Sequence, residues 1–577
     1  MLLKAPSVFV MPPIIGNNTI IICCFFILMI SLTSCTGTSL ETTNNIGGYV
    51  SKSLAGNYLA GRQARRNNDL KKASSSFALA QSHEPSNPRL IREAFLVELK
   101  LGNIEKASRL AARSLDLNNN APFMMLVIGL QKAKTGEWQQ AATAFGKLSK
   151  SQLNQIIQPL ALGWSAVAQN KPNLAAKFFS TVSKRKDFEM LGLLHLGLGY
   201  QIMKATKKAD KAFETALARS ATPPDRLNIS LAAHYIKTRR PYLTKNILKN
   251  LQSDYFDKNL IIKQLDKNPN ETLKDIIINN ATDGLAEALF DIAQALKNDS
   301  VNDPAIIFSH LALYMRPNFA AAQLLLGELL DRRSDHNYAI EQFKAITSKS
   351  AYFLSAQLQL ATSLGNDNKP DKAISLLEEV SNTKPNDYRP FVQIGDLQRS
   401  LKRWDKAISA YSKALSLIPK IQNSDWIIYY SRGIAYEQSK NWQSAEPDFL
   451  QALNLSPNQP FVMNYLGYAW AEQGINLTKA NSLIVKAVKQ RPRDGYIADS
   501  FGWVLYQTGD YEKAVPVLER AVRLRPNDAT INDHLGDAYW KVGRLLEARF
   551  QWIRSTKMEL TNDHLKAINK KIKHGLR

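Results

Sequence analysis

The residue with the most informative chemistry in this sequence is Cys35. The chain of 577 residues has three cysteines, and Cys23, Cys24 and Cys35 all lie near its start. The remainder of the chain therefore contains no disulfide framework and no cysteine-bound zinc centre. Cys35 lies just after an apolar run, and its thiol is either an ordinary small group or the point at which the protein is covalently attached to something else.

The apolar run covers residues 19–32. A helix of that length is too short for a hydrocarbon core of about 30 Å, but it has the length of a signal-peptide core. The sequence LTSC that ends at Cys35 resembles the bacterial lipobox, in which the cysteine receives a diacylglycerol and becomes the new N-terminus. We therefore expect a lipoprotein signal peptide at residues 1–34 and a flexible tether at residues 35–53.

The resemblance implies an anchor in the bacterial cell envelope, with the folded part facing the periplasm. One acyl chain anchors a protein only marginally, whereas the two or three chains of a lipoprotein cysteine hold it durably. Thr36 follows the cysteine, and the absence of Asp at that place favours the outer membrane over the inner one. The alternative is an uncleaved membrane anchor, which leads to the same compartment.

Small and aromatic residues recur along the chain with a period of about 34 residues. When units are numbered so that Gly502 and Gly536 are position 8, position 20 is alanine and position 24 is Leu518 or Trp552. Small residues at positions 8 and 20 allow two helices to approach closely, and a large residue at position 24 fills the gap between neighbouring units. Glycine at position 15 permits a turn, and proline at position 32 ends the second helix.

The same numbering applies to most of the chain. Position 8 is occupied by Gly61, Phe95, Gly129, Gly163 and Gly197, and then by Ala293, Gly327, Ala361, Gly395, Gly433, Gly467, Gly502 and Gly536. Position 20 is occupied by Ala73, Ala107, Ala141, Ala175 and Ala209, and then by Ala305, Ala339, Ala373, Ala407, Ala445, Ala514 and Ala548, while Ala480 lies one residue later than this position in its unit. A further, eroded unit surrounds Leu231 and Leu243.

This pattern resembles the tetratricopeptide repeat (TPR), a pair of antiparallel helices in about 34 residues. The resemblance implies an all-α solenoid, or superhelix, of about 13–14 helix pairs. We expect a basic N-terminal superhelix over residues 54–250, an irregular junction at 251–284 and a C-terminal superhelix over 285–560. Residues 561–577 place Leu565, Ile568, Ile572 and Leu576 on one stripe, which predicts a capping helix.

In TPR proteins, positions 2, 5, 9 and 12 of the first helix commonly face a concave groove. Rigid aromatic side chains among short polar ones suit the binding of an extended segment or a partner helix. The alternative is that many of the aromatic residues only pack between units. The predicted groove residues of the C-terminal units are Tyr430, Phe461, Asn464, Tyr468, Tyr496, Asp499, Trp503, Tyr506, Asp533, Asp537 and Trp540.

Positive charge is concentrated in the N-terminal part of the chain. Residues 51–250 hold 32 Lys and Arg against 12 Asp and Glu, which is +20 of the chain's formal +24. Such a surface could attract an acidic protein, anionic headgroups or an anionic cell-wall polymer. The alternative is a solvated lysine-rich face. Nucleic acid fits the charge but not the expected compartment, so we predict no nucleic-acid partner.

Motifs of catalysis are absent from the sequence. It contains no HExxH, no GxxxxGK[ST] and no GxSxG. His195 lies on a repeat helix, where we expect it to be a packing residue. An enzyme such as a TPR-bearing glycosyltransferase would need a catalytic domain, and residues 251–284 are too few to form one. We therefore predict a non-enzymatic protein without metal or cofactor.

Several segments resemble a narrower group, the large proteobacterial TPR outer-membrane lipoproteins. These segments are GLAEALFDIAQAL, SDWIIYYSRGIAYEQ, QPFVMNYLGYAW and INDHLGDAYWKVGRLLEARFQW. That group includes adaptors that deliver cell-wall hydrolases to a periplasmic carboxy-terminal processing protease. The resemblance implies a protein-binding adaptor in peptidoglycan turnover. The alternative is a scaffold for exopolysaccharide export or outer-membrane assembly.

Overall fold

The computed structural model describes residues 53–117, 123–149, 151–219, 222–249, 251, 255–265, 276–298 and 303–576. Across these ranges the chain forms thirty α-helices and two short 3₁₀ helices, with no β-strand. The all-α prediction is therefore confirmed for these ranges. The predicted signal peptide, Cys35 and all but residue 53 of the predicted tether lie outside them.

The chain forms two compact units that divide between residues 376 and 377. The helices of the N-terminal unit are α1 (Leu54–Arg66), α2 (Leu70–His83), α3 (Pro88–Leu101), α4 (Ile104–Asp116), α5 (Met124–Lys134), α6 (Trp138–Gly146), α7 (Asn154–Ala168), α8 (Pro172–Ser183), α9 (Glu189–Ile202), α10 (Thr206–Ala218), α11 (Asp225–Lys237), α12 (Pro241–Lys249), α13 (Lys258–Leu265), α14 (Ala281–Leu296), α15 (Asp303–Met315), α16 (Ala320–Arg332), α17 (His336–Lys344) and α18 (Phe353–Asn366). Helix α19 (Pro370–Thr383) contains the point of division.

The C-terminal unit continues with eleven further helices. These are α20 (Arg389–Ser400), α21 (Trp404–Leu417), α22 (Trp426–Gln438), α23 (Trp442–Leu455), α24 (Pro460–Glu472), α25 (Leu477–Gln490), α26 (Gly495–Gln507), α27 (Tyr511–Leu524), α28 (Ala529–Lys541), α29 (Leu545–Ser555) and α30 (Asn562–His574). Successive helices pack as pairs, such as α22 with α23 and α26 with α27. We call the first and second helix of a pair helix A and helix B.

The glycine at position 8 lies against the large side chain at position 24 of its own pair. A Cβ added to Gly129 would lie 2.3 Å from Cε1 of Phe145, and one added to Gly536 would lie 2.5 Å from Cδ1 of Trp552. Real Cβ atoms do not approach other atoms so closely. Helices A and B can therefore pack at this distance only because the position lacks a side chain.

The large side chain at position 24 was predicted to fill the gap between neighbouring pairs. It also packs against the glycine at position 8 of its own pair. The ring of Phe179 lies against Gly163 of its own pair, and it also approaches Gly199 of the next pair. All the predicted packing residues are buried. They are Gly61, Ala73, Gly129, Ala141, Gly163, Ala175, Gly197, Ala209, Gly327, Ala339, Gly395, Ala407, Gly433, Ala445, Gly467, Gly502, Ala514, Gly536 and Ala548.

A left-handed residue follows helix A at position 15 of the pairs, or one residue later in the eroded unit. Glycine occupies this place at Gly102, Gly136, Gly474, Gly509 and Gly543. Elsewhere it is held by residues with a side chain, namely Asn68, Asn170, Lys204, Arg239, Ser334, Asn368, Lys402 and Lys440, with φ between 53° and 65°. The backbone therefore carries the predicted period even where the glycine is absent.

Helices α14 to α17 pack against the first run of pairs. A Cβ added to Gly284 of α14 would lie 2.2 Å from Cη2 of Trp164. Both carboxylate oxygens of Glu287 accept hydrogen bonds from the guanidinium of Arg226. Trp164 occupies position 9 of its pair, so helix α14 covers a surface that would face the groove of the first run.

The observed division of the chain differs from the predicted one. We expected a second superhelix from residue 285, but residues 281–366 belong to the N-terminal unit. The reason is the packing of α14 on α7 and α9, which joins segments that are far apart in sequence. The predicted irregular junction at 251–284 contains α13 and the start of α14.

Within the described ranges, no helix combines the length and the apolar character needed to cross a membrane. Helix α30 lies where the capping helix was predicted, and its Ile568 is buried, with Ile572 and Leu576 packed against the same cluster as Trp552.

His195 is buried against Trp164 and Phe179, as expected of a packing residue.

Candidate functional site

The last three A helices of the C-terminal unit carry acidic side chains although the whole chain is basic. Helices α24, α26 and α28 contain Glu472, Asp499, Asp533 and Asp537, and their only Lys or Arg is Lys541. Their partner B helices α25, α27 and α29 contain eight Lys and Arg against three Glu. Charge is therefore segregated, with carboxylates on the A helices and basic residues on the B helices.

A cavity of about 480 Å³ opens among these A helices and the capping helix α30. Its walls include Tyr468 and Glu472 from α24, Trp503 from α26, and His534 from α28. Lys571 reaches it from α30. We call this site the acidic cavity. Its volume is within the range of small-ligand pockets, which is about 300–1,000 Å³.

A stack of three rings supports one wall of the acidic cavity, and two of them, Trp503 and His534, line it. The ring of Trp503 lies between Tyr506 and His534, with centroid distances of 4.7 Å and 4.0 Å and interplanar angles of 6° and 15°. The indole Nε1 of Trp503 donates a hydrogen bond to Glu472. This bond joins α26 to α24 and holds a carboxylate at the edge of the aromatic wall.

His534 carries a positive charge because of Asp499. Its Nδ1 lies 3.0 Å from both carboxylate oxygens of Asp499, and both residues are buried. Burial lowers the pKa of His534, but attraction to Asp499 and the hydrogen bond outweigh burial and raise it to about 9. The wall of the cavity therefore contains an imidazolium paired with one of the four carboxylates.

Lys571 is held by two carboxylates from α28. Its Nζ lies 2.8 Å from Oδ1 of Asp533 and 2.7 Å from Oδ2 of Asp537. Asp537 also accepts a hydrogen bond of 2.9 Å from Nε1 of Trp552. Burial and the charge of Asp533 raise the pKa of Asp537 to about 6, although Lys571 acts in the opposite direction.

A fifth carboxylate lies one pair earlier. Glu437 of α22 accepts a hydrogen bond of 3.0 Å from the hydroxyl of Tyr465. Burial raises the pKa of Glu437, and the charge of Glu472 raises it further. Glu437 and Glu472 are therefore close enough for the charge of one to affect the other.

Six of the predicted groove residues come together at this site. Tyr468, Trp503, Asp533 and Asp537 line the cavity, Asp499 pairs with His534 behind the wall, and Tyr506 completes the ring stack. Three residues of the site were not predicted from the sequence, namely Glu472, His534 and Lys571. Glu472 and His534 occupy positions 13 and 6 of their repeats, and Lys571 belongs to the capping helix, so the positional rule did not include them.

The remaining predicted groove residues lie elsewhere and mainly pack. Tyr430 is buried against Trp426, Phe449 and Tyr465. Trp540 contacts Trp552, with ring centroids 5.4 Å apart.

Two more of them are partly exposed and are covered by arginine. The guanidinium of Arg491 lies 4.4 Å from the ring centroid of Phe461, and that of Arg525 lies 4.8 Å from the ring centroid of Tyr496. The last one, Asn464, is half-buried, and its Oδ1 has no hydrogen-bond partner among the described residues.

The basic residues of the N-terminal unit have two kinds of surroundings. Some form ion pairs within the unit, such as Lys100 with Asp303 and Arg226 with Glu287. Others are exposed on the B helices α8 and α10 or directly after α8, namely Lys177, Lys184, Lys207, Lys208 and Lys211. Part of the positive charge therefore stabilises the packing of α14 and α15, and another part faces solvent.

Comparison with known proteins identifies the repeats. Residues 388–421 match a family model described as tetratricopeptide repeat, and residues 502–543 match one described as TPR repeat. The chain is 27% identical over 191 residues to a TPR repeat-containing protein of Pseudomonas aeruginosa. This match covers 33% of this chain and 31% of that protein. It is 26% identical over 202 residues to tetratricopeptide repeat protein 13 of Homo sapiens. That match covers 34% of this chain and 21% of the human protein.

A solved structure, a tetratricopeptide repeat protein from Parabacteroides merdae, matches with 16% identity and a TM-score of 0.36, covering 44% of this chain and 99% of that one. The chain spans less than a third of the length of the two curated relatives. The helix pairs, their period and the matched segments define a TPR solenoid. Solenoids built from such repeats present extended concave binding surfaces.

Proposed function

We propose that the protein is a non-enzymatic adaptor that is anchored to the bacterial envelope by lipid on Cys35 and binds its clients in the C-terminal unit. The anchor holds it at the membrane, with the outer membrane favoured and the repeats in the periplasm. The clients are a carboxy-terminal processing protease and its substrates, such as cell-wall hydrolases. The adaptor brings the two together and so raises the rate at which the substrate is degraded.

The acidic cavity is the observation that carries this proposal. It combines rigid aromatic walls with charged groups in a concave site, which is the composition expected of a protein-binding hot spot. The comparable surface of the N-terminal unit is covered, since α14 packs on Trp164 and pairs with Arg226. The C-terminal unit is therefore the favoured place for a client.

Local concentration provides the mechanism. Two proteins bound to one scaffold meet with an effective concentration in the millimolar range when the connection is short and flexible. An adaptor of this kind needs no catalytic group, and the acidic cavity needs only to bind. Within the described ranges, no cluster of three or more His, Cys, Asp or Glu side chains is arranged to hold a metal ion.

Crosslinking in intact cells tests the adaptor proposal. The full chain is crosslinked in cells, recovered, and its partners are identified by mass spectrometry. We expect a periplasmic serine protease and a cell-wall endopeptidase to be recovered together. Recovery of a secretin, an outer-membrane barrel or a polysaccharide synthase in their place would overturn the adaptor proposal in favour of an export or assembly scaffold.

Metabolic labelling tests the anchor. Cells that express the full chain are grown with a palmitate analogue, and the Cys35→Ala variant serves as the control. We expect label on the wild-type chain and none on the variant. An unlabelled wild-type chain recovered from the cytosol would contradict the proposed compartment.

A further inference from the structure

The acidic cavity has more negative than positive charge. Glu472, Asp499, Asp533 and Asp537 contribute four carboxylates, while the cations at the site are His534 and Lys571. With all of these groups ionised the site has a net charge of −2, in a chain whose formal net charge is +24. An occupant with positive charge would complete the pairing.

The chain itself shows how this site holds a cation. The ammonium of Lys571 lies between Asp533 and Asp537 at 2.7–2.9 Å, and its side chain is 19% exposed. These are the distances of charge-assisted hydrogen bonds. The geometry of the two carboxylates therefore accepts an ammonium group that arrives from a separate segment of chain.

Aromatic rings next to the carboxylates favour the same kind of occupant. A cation over the face of an aromatic ring, within about 6 Å of its centroid, is attracted by the ring quadrupole. The neighbouring pairs already use this contact, since Arg491 lies over Phe461 and Arg525 lies over Tyr496. In the acidic cavity, Trp503 already stacks on the imidazolium of His534 with ring centroids 4.0 Å apart, and the ring of Tyr468 lies in the wall.

From these observations we infer that the acidic cavity binds lysine or arginine side chains of an extended basic segment in a partner protein. This inference rests on the proposed function, because it names the chemistry of the client that the C-terminal unit holds. One or two basic side chains would balance the charge of the site. Glu437 and Glu472 would extend the contact along the groove toward α22.

Peptide binding to the full-length acylated protein in detergent micelles tests this inference. The probe is a short fluorescent peptide of alternating lysine and serine, and a peptide with glutamate in place of lysine is its counterpart. We expect the lysine peptide to bind at least about tenfold more tightly. General electrostatic attraction to a chain of net charge +24 would favour the glutamate peptide, so this preference would report a local site.

Two variants remove charge from the acidic cavity, and one control leaves it unchanged. Glu472→Gln keeps an oxygen that can accept the hydrogen bond from Trp503, and Asp533→Asn removes one of the two carboxylates around Lys571. We expect each to weaken binding of the lysine peptide about fivefold. Glu512→Gln, on the exposed side of α27, changes the net charge equally and should leave binding unchanged.

The outcomes separate this inference from the adaptor proposal. The basic-segment inference is overturned if the lysine and glutamate peptides bind equally well. It is also overturned if the lysine peptide binds equally strongly to all three variants and their circular dichroism is unchanged. Either result counts even if crosslinking recovers a protease. Charge-selective binding without a protease among the crosslinked partners would overturn the adaptor proposal and leave the chemistry of the acidic cavity standing.

Discussion

Nζ of Lys571 lies 2.7 Å from Oδ2 of Asp537, which joins the capping helix to the last A helix of the C-terminal unit. A capping helix covers the apolar end of a solenoid, and α30 does so with Ile568. Lys571 adds a second effect because it places a cation in the acidic cavity. The end of the chain is therefore both part of the fold and a partial occupant of the candidate binding site.

Removing this internal cation should change stability and affinity in opposite directions. Lys571→Met leaves Asp533 and Asp537 without their ammonium partner, and the loss of these partly exposed hydrogen bonds should destabilise the C-terminal unit by about 1–3 kcal/mol. The same change makes the site more negative, so the alternating lysine peptide should bind about fivefold more tightly. Thermal unfolding and fluorescence polarisation measure the two effects.

Lys570→Met is the matched control for this prediction. Lys570 precedes Lys571 on α30 and is exposed. Its substitution removes the same formal charge and should change neither the stability of the C-terminal unit nor its affinity for the lysine peptide appreciably. If Lys571→Met and Lys570→Met behave alike, the ion pair with Asp533 and Asp537 has no energetic role.

The charge of His534 can be measured directly. The imidazole of His534 should titrate at a pKa of about 9, identified in the NMR spectrum by the signal that His534→Gln removes. Asp499→Asn should lower this pKa toward the ordinary value of about 6.5. A wild-type pKa below 6.5 would contradict the described pairing, because burial alone would then dominate.

The same shift predicts how stability depends on pH. The pKa of His534 in the folded protein is higher than in the unfolded chain, so the folded state binds the proton more tightly. Its contribution is fully present below pH 6.5 and is lost as pH rises through 9. The His534→Gln variant should therefore lack this part of the alkaline loss of stability.

The contact between position 8 and position 24 predicts which glycines can be replaced. Gly129→Ala would place a Cβ 2.3 Å from Phe145 and should destabilise the N-terminal unit by roughly 1–3 kcal/mol. Gly146→Ala, at the end of α6, meets nothing within 4 Å and should be neutral or stabilising by up to about 1 kcal/mol. Urea unfolding followed by circular dichroism distinguishes the two, and equal effects would refute the packing account.

The left-handed turn residues predict that the same substitution, lysine to glycine, has opposite effects on stability at two nearby positions. Lys402 has φ of 57°, so Lys402→Gly should relieve strain and stabilise the C-terminal unit by about 0.5–1 kcal/mol. Lys406 is the third residue of helix α21 and is exposed. Lys406→Gly should destabilise by about 1 kcal/mol, and midpoints of thermal unfolding that shift in the same direction would contradict the assignment.

The repeat architecture could be predicted because its requirements are local. Gly129 and Phe145 belong to one helix pair, and their contact recurs with the same spacing in other pairs. The period of small and large residues therefore appears in the sequence wherever the contact is made. Even the turn position, which often lacks glycine, keeps its backbone conformation.

The packing of α14 to α17 on the first run could not be predicted in this way. Trp164 and Gly284 are far apart in sequence and make a contact that does not recur in other repeats. The ion pair between Lys100 and Asp303 is equally non-local. Such contacts depend on how the superhelix curves, which the spacing of small residues does not specify.

The candidate site was predicted in part for a similar reason. Asp499 and Trp503 follow from their positions in the repeat, since positions 5 and 9 face the groove. His534 lies at position 6, and its role depends on Asp499 in the preceding A helix. Lys571 comes from outside the repeats altogether, so no repeat position identifies it.

Site-specific photo-crosslinking in intact cells tests the central claim, that the C-terminal unit binds clients through the surface around the acidic cavity. A benzophenone amino acid at Tyr506, next to Trp503, is compared with the same group at Lys486, which is exposed on helix α25. We predict that the Tyr506 position captures a periplasmic serine protease or its substrate and that the Lys486 position does not. Capture of the same partners from Lys486 alone, with none from Tyr506, would contradict the account.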